Sequence, residues 1–142
     1  MAGLFYRAVH LTASRFYSLD QCCAWAPDPA FTDPWLTRLA SGPVWGAFAP
    51  DGRLAGFTDL EADGHIDVLF VDPDFAGQGA ARLLVQHGEN EARGLGLPRL
   101  FVEASLAARP LFQRLGFQVL AAQTVSLRGQ DFLNYRMEKW LG

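Results

Sequence analysis

A chain of 142 residues, half of them apolar, has the material for one compact domain spanning residues 1–142 with its own core. Its formal charge of −3 at pH 7 argues against a nucleic-acid partner, which usually demands a basic surface. No apolar run approaches the roughly 20 residues that cross a bilayer, and Met1–His10 lacks a basic segment and a small-residue cleavage site. No membrane partner and a cytoplasmic location are therefore expected.

In chain order, Leu4, Phe5, Ala8, Val9 and Leu11 recur at helical spacing and predict an amphipathic helix over Gly3–Ser14. Ser18, with Gln21 three residues on, forms a capping-box pattern for a short helix that Pro27 ends. The adjacent Cys22 and Cys23 are the only cysteines. With three scattered histidines they offer no disulfide framework or zinc-ligand spacing, so no metal is expected. Asp33-Pro34 starts another helix through Trp35, Leu36 and Leu39, which stops near Gly42-Pro43.

A hairpin is predicted from Val44–Ala49 and Leu54–Leu60 around Pro50-Asp51-Gly52. Asp63-Gly64 turns into a third strand, His65–Val71. The pattern then changes to a helix over Gly79–Arg93, a buried strand over Leu100–Ala104 and a short helix over Ala107–Leu115. Two last strands, Gly116–Leu127 and Phe132–Trp140, flank Arg128-Gly129. A strand–turn–helix–strand unit implies two parallel neighbours joined by a right-handed crossover, whereas the hairpins are antiparallel. The expected fold is α/β or α+β: a mixed, mostly antiparallel sheet with a central parallel pair and helices on both faces.

Phe75-Ala76-Gly77-Gln78-Gly79-Ala80-Ala81-Arg82 lies between a strand and the first turn of a helix. Unpaired N–H groups and the positive helix end converge there, which suits an anion. Glycines at such a junction equally serve the turn itself. The dinucleotide fingerprint is excluded because Arg82 stands where a third small residue is needed, and the P-loop because Gly-Lys-Ser/Thr is absent.

The segment Val71–Leu84 resembles the acetyl-CoA motif of the GCN5-related N-acetyltransferase (GNAT) family, in which Arg/Gln-x-x-Gly-x-Gly/Ala follows a strand and opens a helix. Ala108 through Phe112 to Gly116-Phe117 is similar to the family's second signature. Val102-Glu103-Ala104-Ser105 and Asn134-Tyr135-Arg136-Met137-Glu138 resemble a bacterial branch of the YafP type. The resemblance covers about residues 4–140.

That resemblance implies acetyl-CoA as co-substrate and a mixed sheet whose strand end, at Leu69, Phe70 and Val71, meets the thioester. It implies coenzyme contacts from Ala76, Gly77, Gln78, Gly79, Ala80, Ala81 and Arg82, with Ser105, Arg109 and Phe112 nearby. Four departures stand out. Ala76 replaces the usual Arg or Gln, Ser105 a frequent Asn, and Phe112 the Tyr often assigned as general acid. The strand that usually precedes the first helix is also missing, which would leave the Val44–Ala49 edge to be covered by a helix, a loop or a second subunit.

In the family an amine attacks the thioester directly in a ternary complex, and the amine must first lose a proton. Phe70 and Val71 are the candidate oxyanion donors. For the base three residues stay open: His65 and Asp67, which share one strand face, and Glu103, which interrupts an apolar strand. For the acid, Tyr135 stands beside Ser105 or water, against a packed strand aromatic as its bland reading. Tyr17, Trp25 and Trp35 form an aromatic region that walls a substrate pocket or fills the core. The acceptor is a small-molecule or peptide amine. A homodimer is open, and so is a non-catalytic acyl-CoA sensor or interaction domain on the same fold.

Overall fold

The computed structural model describes residues 2–28 and 43–142. The predicted helix through Trp35 lies outside the described residues.

The first helical stretch begins as α1 (Ala2–Arg7), widens into a π turn over Ala8–Thr12 and tightens to a 3-10 turn over Ala13–Arg15. Leu4, Phe5, Ala8 and Val9 point inward, but Leu11 is exposed and Ala13 takes the inward place. A π turn rotates less per residue than an α turn, so positions after it slip around the axis. Helix α2 (Leu19–Trp25) carries the full capping box, with Ser18 Oγ accepting from Gln21 N and Gln21 Oε1 accepting from Ser18 N.

Strands β1 (Val44–Phe48) and β2 (Leu54–Asp59) form the expected hairpin, with β1 at the edge. Its predicted cover lies outside what the described residues test. The next strand departs from the sequence reading. Instead of running unbroken over His65–Val71, it splits into β3 (His65–Ile66) and β4 (Leu69–Val71). Strand β3 pairs in parallel with β5 (Arg99–Ser105), whereas β4 pairs antiparallel with β2.

The break is held by buried polar groups of β2. Asp59 Oδ1 accepts from the N–H groups of Asp67 and Val68 at 2.8 and 2.9 Å, and Thr58 Oγ1 donates to the Val68 carbonyl at 2.7 Å. Groups that would otherwise belong to the ladder are thereby satisfied at the point where the strand changes partner. Burial pushes the Asp59 carboxyl above its ordinary pKa, and the two backbone donors pull it back only in part.

Beyond the glycine turn come α3 (Ala80–Gly94) and, after β5, α4 (Arg109–Arg114). Strands β6 (Gln118–Leu127) and β7 (Gln130–Trp140) close the order β3-β5-β7-β6. Together with the antiparallel sheet β1-β2-β4 these strands make a layer whose pairing is mixed and mostly antiparallel, as the sequence implied, with β3–β5 as its parallel pair.

Two apolar clusters lie on its opposite faces. Leu4, Phe5, Val9, Tyr17, Cys22, Phe57 and Phe132 join α1 and α2 to one face. Val85, Ala92, Leu100, Val102, Phe112 and Met137 join α3 and α4 to the other. Each fully buried large side chain, such as Phe57 or Phe112, contributes about 1.5–3 kcal/mol. No helix among the described residues is long and apolar enough to cross a membrane.

Candidate active site

The glycine turn opens on a cleft of about 490 Å3 that runs along β4. Gly77 and Gly79 have φ of 77° and 86°, the left-handed region that glycine enters without cost, and a Cβ at either would meet nothing within 4 Å. Gly79 caps α3, so the first-turn N–H groups of Ala80, Ala81 and Arg82 have no intrahelical acceptor and face open space. Ala76, Gly77, Gly79, Ala80, Ala81 and Arg82 line the cleft, but Gln78 does not: its side-chain amide donates to Asp74 O at 3.4 Å. Arg114, at the end of α4, adds a second guanidinium to the lining that the sequence reading did not single out.

Along the cleft wall the open edge of β4 is exposed, because β5 has parted from it. Asp72 N donates to Ala55 O at 2.8 Å, which makes Asp72–Ala55 and, two residues on, Phe70–Phe57 the hydrogen-bonded pairs of this antiparallel ladder. The N–H of Phe70 is therefore turned into the sheet, and those of Leu69 and Val71 face the cleft. Of the two expected oxyanion donors, Val71 is the one whose N–H the register turns toward the cleft. The opposite wall is the π turn, through Ala8, Val9 and Thr12.

A second, smaller cleft of about 150 Å3 meets the first at Ser105 and Trp25, which line both. Its other walls are Tyr17, Phe132, Val125 and Leu127, with Glu103 and Asn134 as polar members. Asn134 Oδ1 is buried without a hydrogen-bond partner. The Ser105 Oγ accepts from Ala108 N at 3.1 Å, which leaves its own proton available to donate.

Glu103 does not stand alone. Its Oε2 lies 2.6 Å from His65 Nε2, and His65 Nδ1 lies 3.1 Å from Glu61 Oε1. The pairing of His65 with Phe101 across β3 and β5 places Glu103 one side-chain step farther along the same face, and the imidazole stacks on the Phe101 ring at 4.9 Å. Burial works to lower the His65 pKa, but the hydrogen bonds and charges of Glu103 and Glu61 outweigh it and the net shift is upward. The result is a chain of three titratable groups reaching from Glu61 to the second cleft.

Asp67 shares that face: one ligand atom each from Glu61, His65 and Asp67 falls within 4.8 Å of the others, the geometry nearest to a metal site among the described residues. Both His65 nitrogens are, however, already held by carboxylates. The carboxyl buried in this region is that of Asp59, which the sequence reading passed over, while Asp67 lies half-buried at the strand break.

Three other candidates, Phe112, Tyr135 and Arg109, line neither cleft. Phe112 is 1% exposed, packed on Phe117 in the core beneath α4. Tyr135 lies on that same face, under the Arg109 guanidinium at 4.6 Å. The alternation of β7 explains this: Phe132 and Asn134 face α2, so Tyr135 must face α4. Tyr17 is 6% exposed; its hydroxyl donates to Leu133 O and accepts from Leu106 N, pinning the start of α2 to the ends of β5 and β7. Burial raises its pKa. Trp25 serves both readings offered for it, packing on Phe5, Tyr17, Phe70 and Phe132 while walling both clefts. Trp35 lies outside the described residues.

A glycine turn at a helix N-terminus, a splayed strand pair and two clefts meeting at the splay can be compared with known proteins. The family model of the acetyltransferase (GNAT) domain matches residues 31–139. The chain is 36% identical over 140 residues to the N-acetyltransferase YafP of Escherichia coli strain K12, covering 96% of this chain and 85% of that one. It is 32% identical over 94 residues to the peptidyl-lysine N-acetyltransferase YjaB of Salmonella typhimurium strain LT2, covering 66% of this chain and 63% of YjaB. Among solved structures, a GCN5-related N-acetyltransferase from Rhodopseudomonas palustris superposes with a TM-score of 0.92 at 30% identity, over 99% of this chain and 87% of that one. The PaiA N-acetyltransferase of Thermoplasma acidophilum, solved with coenzyme A, shares the fold alone: TM-score 0.75 at 16% identity, over 99% and 90%. The chain belongs to the GCN5-related N-acetyltransferase family, and is an acyltransferase by that membership.

Proposed function

We propose that the enzyme moves an acetyl group from acetyl-CoA to a primary amine by direct attack within a ternary complex. The observation that carries this reading is the junction at Ser105 and Trp25. There a cleft with the glycine turn and the α3 N-terminus at its far end meets a second cleft lined by the Glu103 carboxylate.

The diphosphate of the coenzyme fits the N–H groups of Gly77, Gly79, Ala80 and Ala81, where the helix end is positive. Arg82 and Arg114 supply charge that Ala76 cannot. The pantetheine arm then follows the free edge of β4, and the thioester reaches the splay, with the Val71 N–H placed to hold the oxyanion.

Glu103 is the proposed base. An ammonium gives one proton to its carboxylate, with His65 and Glu61 behind it as an outlet for that proton. The neutral nitrogen forms the new N–C bond, the tetrahedral intermediate collapses, and the C–S bond breaks. The second nitrogen proton goes to the leaving thiolate through water or the Ser105 hydroxyl. A thiolate is a weak enough base to need no dedicated acid, which accommodates a buried Phe112 and a Tyr135 that faces away.

Exchanging Glu103 for Gln tests the assignment. The expected outcome is a fall in kcat of about 100-fold, the usual scale of general-base catalysis, with the KM for acetyl-CoA unchanged. Full activity in that variant removes Glu103 as the base. A non-catalytic sensor would instead bind acetyl-CoA and release no thiol with any amine.

A further inference from the structure

The acceptor is written into the second cleft, and its assignment rests on the reading just proposed. Three features of that cleft bear on it. The first is size: about 150 Å3, the volume of a cavity that holds a benzene molecule. A multi-ring aminoglycoside exceeds that space several-fold, whereas a linear polyamine differs from a one-ring amine in shape and polarity rather than in bulk.

The second is the nature of its walls. Tyr17, Trp25 and Phe132 are packed against one another with ring centroids 5.6–6.0 Å apart, Trp25 edge to face with the other two and Tyr17 tilted on Phe132. Tyr17 presents only its ring, because its hydroxyl is occupied by Leu133 and Leu106. Such an aromatic wall favours a flat apolar body over a hydrated one.

The third is the set of polar atoms. Among the described lining residues Glu103 is the sole charged side chain, and the buried Asn134 Oδ1 lacks a donor. A buried acceptor left unmatched costs about 1–3 kcal/mol unless a ligand supplies the missing N–H. Asn134 pairs with Ser105 across β5 and β7, so that acceptor sits at the junction where an attacking nitrogen must arrive.

We infer that the acceptor is a small primary amine carrying a single-ring apolar body. The ring lies against the wall formed by Tyr17, Trp25 and Phe132, and one amino N–H donates to Asn134 Oδ1 while Glu103 takes the ionisable proton. Asn134 is thus a residue that positions the nucleophile and selects for it.

Thiol release from acetyl-CoA is compared for benzylamine and phenethylamine against spermidine, an aminoglycoside and a lysine-containing peptide. The one-ring amines are expected to show kcat/KM at least about tenfold above the other three. Asn134→Leu raises the KM for benzylamine about tenfold, the worth of one buried hydrogen bond, without changing the KM for acetyl-CoA. Asn134→Asp, which keeps an acceptor in place, restores most of the affinity. A faster reaction with the polyamine, the aminoglycoside or the peptide, or an Asn134→Leu variant with unaltered benzylamine KM, overturns the acceptor assignment and leaves acetyl transfer standing. Binding of acetyl-CoA with no thiol released for any amine overturns both.

Discussion

In the sequence His65 is the first residue of a strand and Glu103 a charge in an apolar strand, two separate candidates for the base. Their contact at 2.6 Å depends on the β3–β5 register, which no local pattern encodes. That contact has a measurable consequence. The folded-state pKa of His65 is raised, so its contribution to stability is complete below the unfolded value, about 6.5, and is lost as pH rises through the folded value. Urea melts of the wild type and His65→Gln should therefore show a wild-type advantage at pH 6 that shrinks steadily towards pH 9. A constant gap across that range contradicts the assignment. Phe112 gives a second residue-scale prediction. Restoring the Tyr usual in the family adds a hydroxyl to a site 1% exposed in an apolar core. Phe112→Tyr should lose about 1–3 kcal/mol of stability and gain no activity. A rise in kcat would show that the ring reaches the leaving thiolate.

At the scale of elements, most boundaries follow from turn chemistry legible in the chain: Asp51-Gly52, Asp63-Gly64, Arg128-Gly129 and the Ser18 cap. The splitting of the third strand was not legible. Both halves carry the same alternation, and the deciding groups, Asp59 and Thr58, belong to a different strand. Asp59→Ala should cost about 2–4 kcal/mol, because two buried N–H groups lose their acceptor. Asp59→Asn keeps an oxygen there and discards a buried charge, so it should be nearly neutral by the same melts. Equal losses in both variants would mean that the charge, not the acceptor, holds the break. The glycine turn was the most legible element, since φ of 77° and 86° is available cheaply to glycine alone. The acceptor side was least so. Asn134 reads as an ordinary strand residue until β7 is laid against β5.

For the whole molecule, the larger cleft, proposed to hold the coenzyme, is walled on one side by the α1 π turn, on another by β4, and at its end by α3 and α4. A ligand there touches both apolar clusters at once and should stabilise the entire fold. At a hundredfold excess over Kd the gain is about 2.7 kcal/mol, which for a chain of this size raises Tm by about 5–10 °C. The parallel β3–β5 pair was legible because a crossover helix between two strands allows little else. The meeting of two clefts at Trp25 was not, since one side chain serves both as core and as wall. Calorimetric titration of coenzyme A into the wild type and Gly79→Asp tests the central claim most directly. The account predicts saturable binding to the wild type and at least a tenfold loss in the variant, through left-handed strain and a carboxylate beside the diphosphate. Equal affinity for the two proteins, or a wild type that binds nothing, would contradict it.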